Sequence, residues 1–187
     1  MTNLALLTTP ICDFEKNIID FQLLNTDGKV IQLRNSLGLN GTLIMFICNH
    51  CPYVKAIIPR LVNTTEELKK IHINSLAIMP NDTENYPEDS YEQMKIFADK
   101  NNFNFPYLID ESQEIAKSYG AVCTPDFFGY NRNLELQYRG RFRELKDLKP
   151  INNGDSDLKI AMKMVAQTQK GPDEQIPSMG CNIKWFN

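Results

Sequence analysis

Five cysteines, at positions 12, 48, 51, 123 and 181, are the residues best able to do covalent chemistry, and two stand together as Cys48-Asn49-His50-Cys51. A thiol attacks a peroxide or a disulfide only as its thiolate, so the elements around each sulfur decide what it can do. Pro52 follows Cys51, and Pro52 to Val62, continuing through Glu66, Glu67 and Leu68, places apolar residues three and four apart. That spacing predicts a long helix with Pro52 in its first turn and a kink at Pro59. Cys51 then occupies the N-cap, where unpaired amides favour negative charge. Cys48 lies a Cys-x-x-Cys distance away, able to close a small-ring disulfide, and a cationic His50 between them would stabilise the thiolate further.

The strand before this cluster is Thr42 to Ile47, a continuous apolar run of the kind buried on both faces of a sheet. Ile73 to Met79 reads as a second buried strand, followed by a polar loop from Pro80 to Asp89 and an amphipathic helix from about Ser90 to Lys100. Residues 106–109 read as a short strand, and residues 112–119 as a short helix stopped by Gly120. A hairpin opens the fold at 18–24 and 29–33 around Asp27-Gly28, a second pairs 126–130 with 134–139, and a last helix runs over 157–169. Alternating strands and helices closed by a hairpin predict a mixed α/β sandwich. The chain divides into an N-terminal arm (1–17), one domain (18–170) and a tail (171–187) apolar enough to dock on the body.

Composition bounds the partners. The chain has 187 residues, 42% of them hydrophobic and 23% charged, with a net charge of −3. Such a chain can bury a core without disulfide staples, and it carries no field to attract nucleic acid. The longest apolar run, Leu43 to Cys48, falls far short of the roughly 20 residues of a membrane span. The first residues lack the pattern of a secretion signal, so the expected setting is cytoplasmic and reducing. An odd cysteine count there argues for reactive or metal-binding thiols rather than a disulfide framework.

The order of buried strand, Cys51-Pro52-Tyr53-Val54-Lys55, Pro59 and a later Thr124-Pro125 resembles the thioredoxin superfamily. The wider pattern is Phe46 to Val54, Phe105-Pro106-Tyr107-Leu108-Ile109-Asp110-Glu111, Tyr119 to Phe128 and Pro177 to Trp185. It is similar to the peroxiredoxin-like redoxin group of the alkyl hydroperoxide reductase and thiol-specific antioxidant proteins. The resemblance implies a thioredoxin-like fold, a cis-proline at Pro125 facing the cysteine from a neighbouring strand, and thiol-based oxidoreductase chemistry without a cofactor. It also brings departures. Counted back from Pro59, Cys51 matches the first cysteine of a thioredoxin pair, and the second, also the peroxidatic position, falls on Val54. Matched instead to the peroxidatic cysteine, Cys51 has Cys48 in place of the supporting threonine and Ile44 in place of the proline. Met45 stands where thioredoxins carry a buried carboxylate.

The expected chemistry is attack by Cys51 on a peroxide or disulfide, condensation with a second thiol, and reduction by an external dithiol protein or small thiol. Cys48 is the first choice for that second thiol, with Cys123 and Cys181 as candidate resolving thiols. The backbone at Thr124 and Pro125 would pair with an extended substrate if that substrate is a protein. This account requires the Cys51 sulfur to be acidic and open to solvent. Cys12 reads as a core residue, His72 as a solvated helix end, and Arg139, Arg141 and Arg143 as solvated charges, one of them within reach of polarising a peroxide. Two rivals stand beside it: a zinc or copper site using Cys48, Cys51 and Cys123, and a redox sensor that does not turn over.

Overall fold

The computed structural model describes residues 5–186. In chain order the elements are β1 (Leu6–Thr8), β2 (Gln22–Asn25), β3 (Val30–Gln32), β4 (Gly41–Phe46), α1 (Pro52–Lys70), β5 (Ile73–Met79) and α2 (Tyr91–Lys100). Then follow β6 (Tyr107–Ile109), α3 (Glu114–Tyr119), β7 (Cys123–Thr124), β8 (Asp126–Asn131) and β9 (Leu136–Tyr138). The chain finishes with β10 (Leu145–Lys146), β11 (Lys149–Pro150), α4 (Asp157–Thr168) and β12 (Met179–Asn182).

A seven-stranded sheet in the order β3-β2-β6-β5-β4-β8-β9 forms the centre. It is mixed: β4 runs parallel to β5 and β5 to β6, while β8 pairs antiparallel with β4 and β2 with both β3 and β6. Strand side chains alternate between faces, so a strand buried on both sides must be apolar throughout. In β4, Leu43 and Met45 join one core with Val54, Ile58 and Leu61 of α1 and Met162 of α4, while Ile44 and Phe46 join the other with Ala116 and Tyr119 of α3. Phe127 and Phe128 of β8 divide in the same way. This layering of helices on a mixed sheet is the thioredoxin-like fold.

Local chemistry sets the element ends. Ser90 Oγ accepts from the Gln93 amide and Ser156 Oγ from the Lys159 amide, capping α2 and α4. Gly28, at φ 84°, makes the turn between β2 and β3, which few side chains tolerate. Pro59 lies inside α1, as the spacing predicts.

A smaller sheet, β1-β12-β7, lies outside the central one, and periodicity gives no sign of it. β12 pairs antiparallel with β7, setting Cys181 opposite Thr124 and Asn182 opposite Cys123, and on its other side with β1. Side chains extend the hold. Ser178 Oγ donates to the Pro125 carbonyl (2.7 Å), Gln113 Nε2 to that of Lys184 (2.8 Å), and the Lys184 amide to Asn81 Oδ1 (2.9 Å).

Several sequence expectations require correction. Cys12 is only half-buried, and burial moves its thiol pKa up to about 11. Arg139 is buried rather than solvated: Nη2 donates to Asp126 Oδ2 at 3.0 Å and to the Gly120 carbonyl at 2.7 Å, and the guanidinium lies 4.5 Å from the Phe128 ring centroid. Arg143 is buried too. The Arg139–Asp126 pair ties the end of α3 to the start of β8, immediately beyond Pro125. Burial raises Asp126 to about pKa 6 despite the arginine.

Breaking a buried pair leaves an uncompensated charge, so Arg139→Met should destabilise the fold by about 3–5 kcal/mol in urea unfolding near neutral pH. Asp126 can protonate in the native state below about pH 6, so the loss should shrink at pH 5. An equal loss at both pH values would contradict this assignment.

Candidate functional site

The Cys48–Cys51 segment leaves the carboxyl end of β4, the side on which open α/β sheets build their sites. Cys51 is the N-cap of α1, with Pro52 in the first turn. Its sulfur makes no well-formed capping hydrogen bond, and the first-turn amide of Val54 is only a minor contact. Instead Cys51 Sγ lies 2.9 Å from Cys181 Sγ and 3.1 Å from the Thr124 carbonyl oxygen. The β7–β12 register brings this about, because Cys181 stands opposite Thr124 and the Thr124–Pro125 peptide is cis beside it.

Neighbouring thiols dominate the electrostatics. Cys181 and then Cys48 hydrogen-bond to the Cys51 sulfur and hold its pKa well below the ordinary thiol range, against burial, while the Val54 amide at the helix start contributes less. The Thr124 carbonyl, placed to accept from the Cys51 thiol, opposes an anion, whereas two thiols and two amides, those of Val54 and Cys181, favour it. Cys181 moves in the opposite direction, chiefly because it supplies that hydrogen bond. The two sulfurs are coupled, and the hydrogen bond between them favours the thiolate on Cys51 and the thiol on Cys181. Burial pushes Cys48 up, and its Sγ lies 3.2 Å from Thr124 Oγ1. Helix amides were the expected source of the thiolate; the thiol of the tail is the larger one.

Asp89 holds the loop that carries these sulfurs, and sequence reading passed it over as the end of a polar loop. Fully buried, it accepts from the Asn49 amide (2.8 Å), the His50 amide (3.3 Å), Asn81 Nδ2 (2.7 Å) and, at 2.6 Å, the protonated Nδ1 of His50. Tyr107 Oη donates to Asn49 Oδ1 at 2.9 Å, and the His50 ring stacks on Tyr86. The hydrogen bond to Asp89 raises the His50 pKa above 6.5. No motif marks Asp89; its position after β5, the parallel neighbour of β4, is the only signal available.

Three expectations about the site are corrected. Cys51 is not open to solvent: its exposure is 0% and that of Cys181 is 1%. The cover is the chain's own tail, since a Cβ on Gly180 would lie 2.1 Å from the Thr124 carbonyl oxygen, so β12 packs backbone against backbone. For the same reason the edge at Thr124 and Pro125, expected to pair with an extended substrate, already pairs with β12. Finally, Cys48, Cys51 and Cys123 do not form a ligand set; Cys123 Sγ lies 3.6 Å from the Pro125 carbonyl oxygen. Among the described residues, the group whose donor atoms all lie within 4.8 Å is Cys48, His50 and Asp89. Each Asp89 oxygen there already accepts two hydrogen bonds, which a cation would have to displace. His72 lies exposed at the end of α1, away from these residues.

Comparison with known proteins bears on the fold and the family. An uncharacterized conserved protein from Geobacillus kaustophilus has a crystal structure that superposes with a TM-score of 0.93, at 37% identity over 98% of both chains. A hypothetical protein from Sinorhizobium meliloti 1021 gives 0.87, at 34% identity over 96% of this chain and 97% of that one. The fold alone is shared with the peroxidoxin BcpB of Mycobacterium tuberculosis, at a TM-score of 0.56 and 15% identity over 66% of this chain and 81% of that one. No curated protein matches the sequence. Residues 14–142 match the model of the AhpC/TSA family, and the chain belongs to that family.

Proposed function

We propose that this protein is a thiol oxidoreductase in which Cys51 is the nucleophile, Cys181 the resolving thiol and a small peroxide the oxidant. The observation that carries the reading is the 2.9 Å approach of the two sulfurs, made within one chain by the β7–β12 pairing. The Cys51 thiolate attacks the terminal peroxide oxygen, the O–O bond breaks, and the alkoxide or hydroxide leaves and takes a proton. The product is a sulfenic acid on Cys51. Cys181 then attacks that sulfur, forming the Cys51–Cys181 disulfide and releasing water. Two exchange steps with an external dithiol restore both thiols.

The covered sulfur bears on the choice of oxidant. A protein disulfide would need the β7 edge, which β12 holds, whereas a small peroxide needs only a local opening of the strand. No described helix is long and apolar enough to cross a membrane. Cys48, in hydrogen-bonding contact with Cys51, stabilises the thiolate rather than resolving the sulfenate. His50, kept cationic over a wider range by Asp89, adds positive charge next to Cys51.

Oxidation with one equivalent of peroxide should yield a Cys51–Cys181 disulfide by mass spectrometry. Cys181→Ser should leave a sulfenate on Cys51 that dimedone traps, and Cys51→Ser should give neither product. A Cys48–Cys51 disulfide in the wild-type protein would overturn the assignment. Steady turnover of many reductant equivalents separates an enzyme from a one-shot sensor.

The His50–Asp89 pair gives a separate prediction. Because the folded pKa of His50 is raised, the pair contributes stability that is complete below about pH 6.5 and is lost as pH rises through the folded value. Asp89→Asn should lower the His50 pKa in an NMR titration, and an unchanged value would show that Asp89 does not set it.

A further inference from the structure

Beside the covered sulfur lies a groove of about 570 Å³, bounded by the first turns of α1, by Pro125 and by residues 176–179. Tyr53, Ile57, Phe142 and Leu145 give it an apolar lining. Large apolar side chains stand exposed around it, with Leu148 39%, Met179 49% and Ile176 53% accessible. Pro125 lines the groove, and the carbonyl of the preceding Thr124 is the one in contact with Cys51.

Three arginines at or near this groove differ in a way that points to a ligand. Arg141, in its wall, is neutralised by Asp157 at 2.5 Å and Glu144 at 3.4 Å. Arg139, two residues earlier in the chain, is neutralised by Asp126. Arg143 also lines the groove and is 7% exposed, yet among the described residues no carboxylate lies within 4.0 Å of it. Its Nη2 donates only to neutral oxygens, the Asn152 carbonyl (2.8 Å), Asn152 Oδ1 (3.0 Å) and the Gly154 carbonyl (3.2 Å). Its Nε is buried and has no hydrogen-bond partner. A buried guanidinium is ordinarily paired, because an isolated buried charge and an unmade hydrogen bond both cost free energy. Glu144 and Asp147 also line the groove, but both are exposed, where water screens them.

We propose that this groove binds a small carboxylate carried on an apolar chain, with the carboxylate against Arg143 and the chain laid over Tyr53, Ile57 and Phe142 toward Pro125. A planar carboxylate suits a guanidinium that has no carboxylate partner and an unpaired Nε, and the apolar rim suits the chain. The binding itself does not require the redox role of Cys51. It places the far end of such a ligand next to the sulfur pair.

Calorimetric titration of the full chain with octanoate, octanol and acetate tests the proposal. Octanoate should bind saturably, and octanol and acetate at least about tenfold more weakly, since one lacks the charge and the other the chain. Arg143→Gln should remove most of the octanoate affinity. Arg143 also braces the Asn152–Gly154 loop, so if that variant unfolds by circular dichroism, Ile176→Glu decides instead, setting a like charge at the rim with Arg143 intact. Cys51→Ser should bind octanoate as the wild type does. Absence of saturable binding, equal binding of octanoate and octanol, or affinity unmoved in a folded Arg143→Gln or in Ile176→Glu would overturn the proposal. Octanoate binding together with full turnover by Cys51→Ser would instead retain the groove and remove the thiol reading.

Discussion

The pairing of β12 with β7 is the constraint on which the site depends. It is a short antiparallel ladder, but it sets the Cys181 sulfur 2.9 Å from that of Cys51 and closes the edge beside Pro125. Gly180 makes the approach possible, since any side chain there would meet the Thr124 carbonyl. Hydrogen bonds from Ser178 and around Lys184 hold the strand at both ends, so the sulfur contact is not left to a loose tail. The segment occupies the place that strand addition would give an extended substrate, and it presents a thiol where such a substrate would present its own.

This arrangement reverses the usual relation between exposure and reactivity. Reactive thiols are ordinarily recognised by partial exposure in an electropositive setting. Here the acidic thiol is sealed, and its acidity arises because a neighbouring thiol donates to it. The cover and the source of activation are the same residue, Cys181. Opening the strand to admit an oxidant therefore also withdraws the largest influence holding Cys51 as an anion. The remaining support comes from Cys48 and from the amide of Val54.

Much of the central sheet was legible because burial on two faces leaves a mark. Leu43 to Phe46 and Leu76 to Met79 are apolar on both alternations, and Pro52, Ser90 and Ser156 begin helices where their chemistry suits an N-terminus. The cysteine cluster could be placed for the same reason, between a buried strand and a helix begun by proline. What stayed hidden depends on contacts distant in the chain. Thr124 and Cys181 pair across a sequence separation of 57, which no local pattern encodes. Asp89 looks like any loop carboxylate until four donors converge on it. Arg139 and Arg143 read as surface charges because a sequence shows their charge and not the Asp126 or the loop that encloses them.

The most direct test of the central claim is the ultraviolet absorbance of the thiolate, followed against pH in the reduced wild-type protein and in Cys181→Ser. The account predicts one thiolate that titrates well below the ordinary value of about 8.5 in the wild type and moves upward when Cys181 is removed. A Cys51 that titrates as a free cysteine, or an acidic Cys51 indifferent to the loss of Cys181, would contradict it.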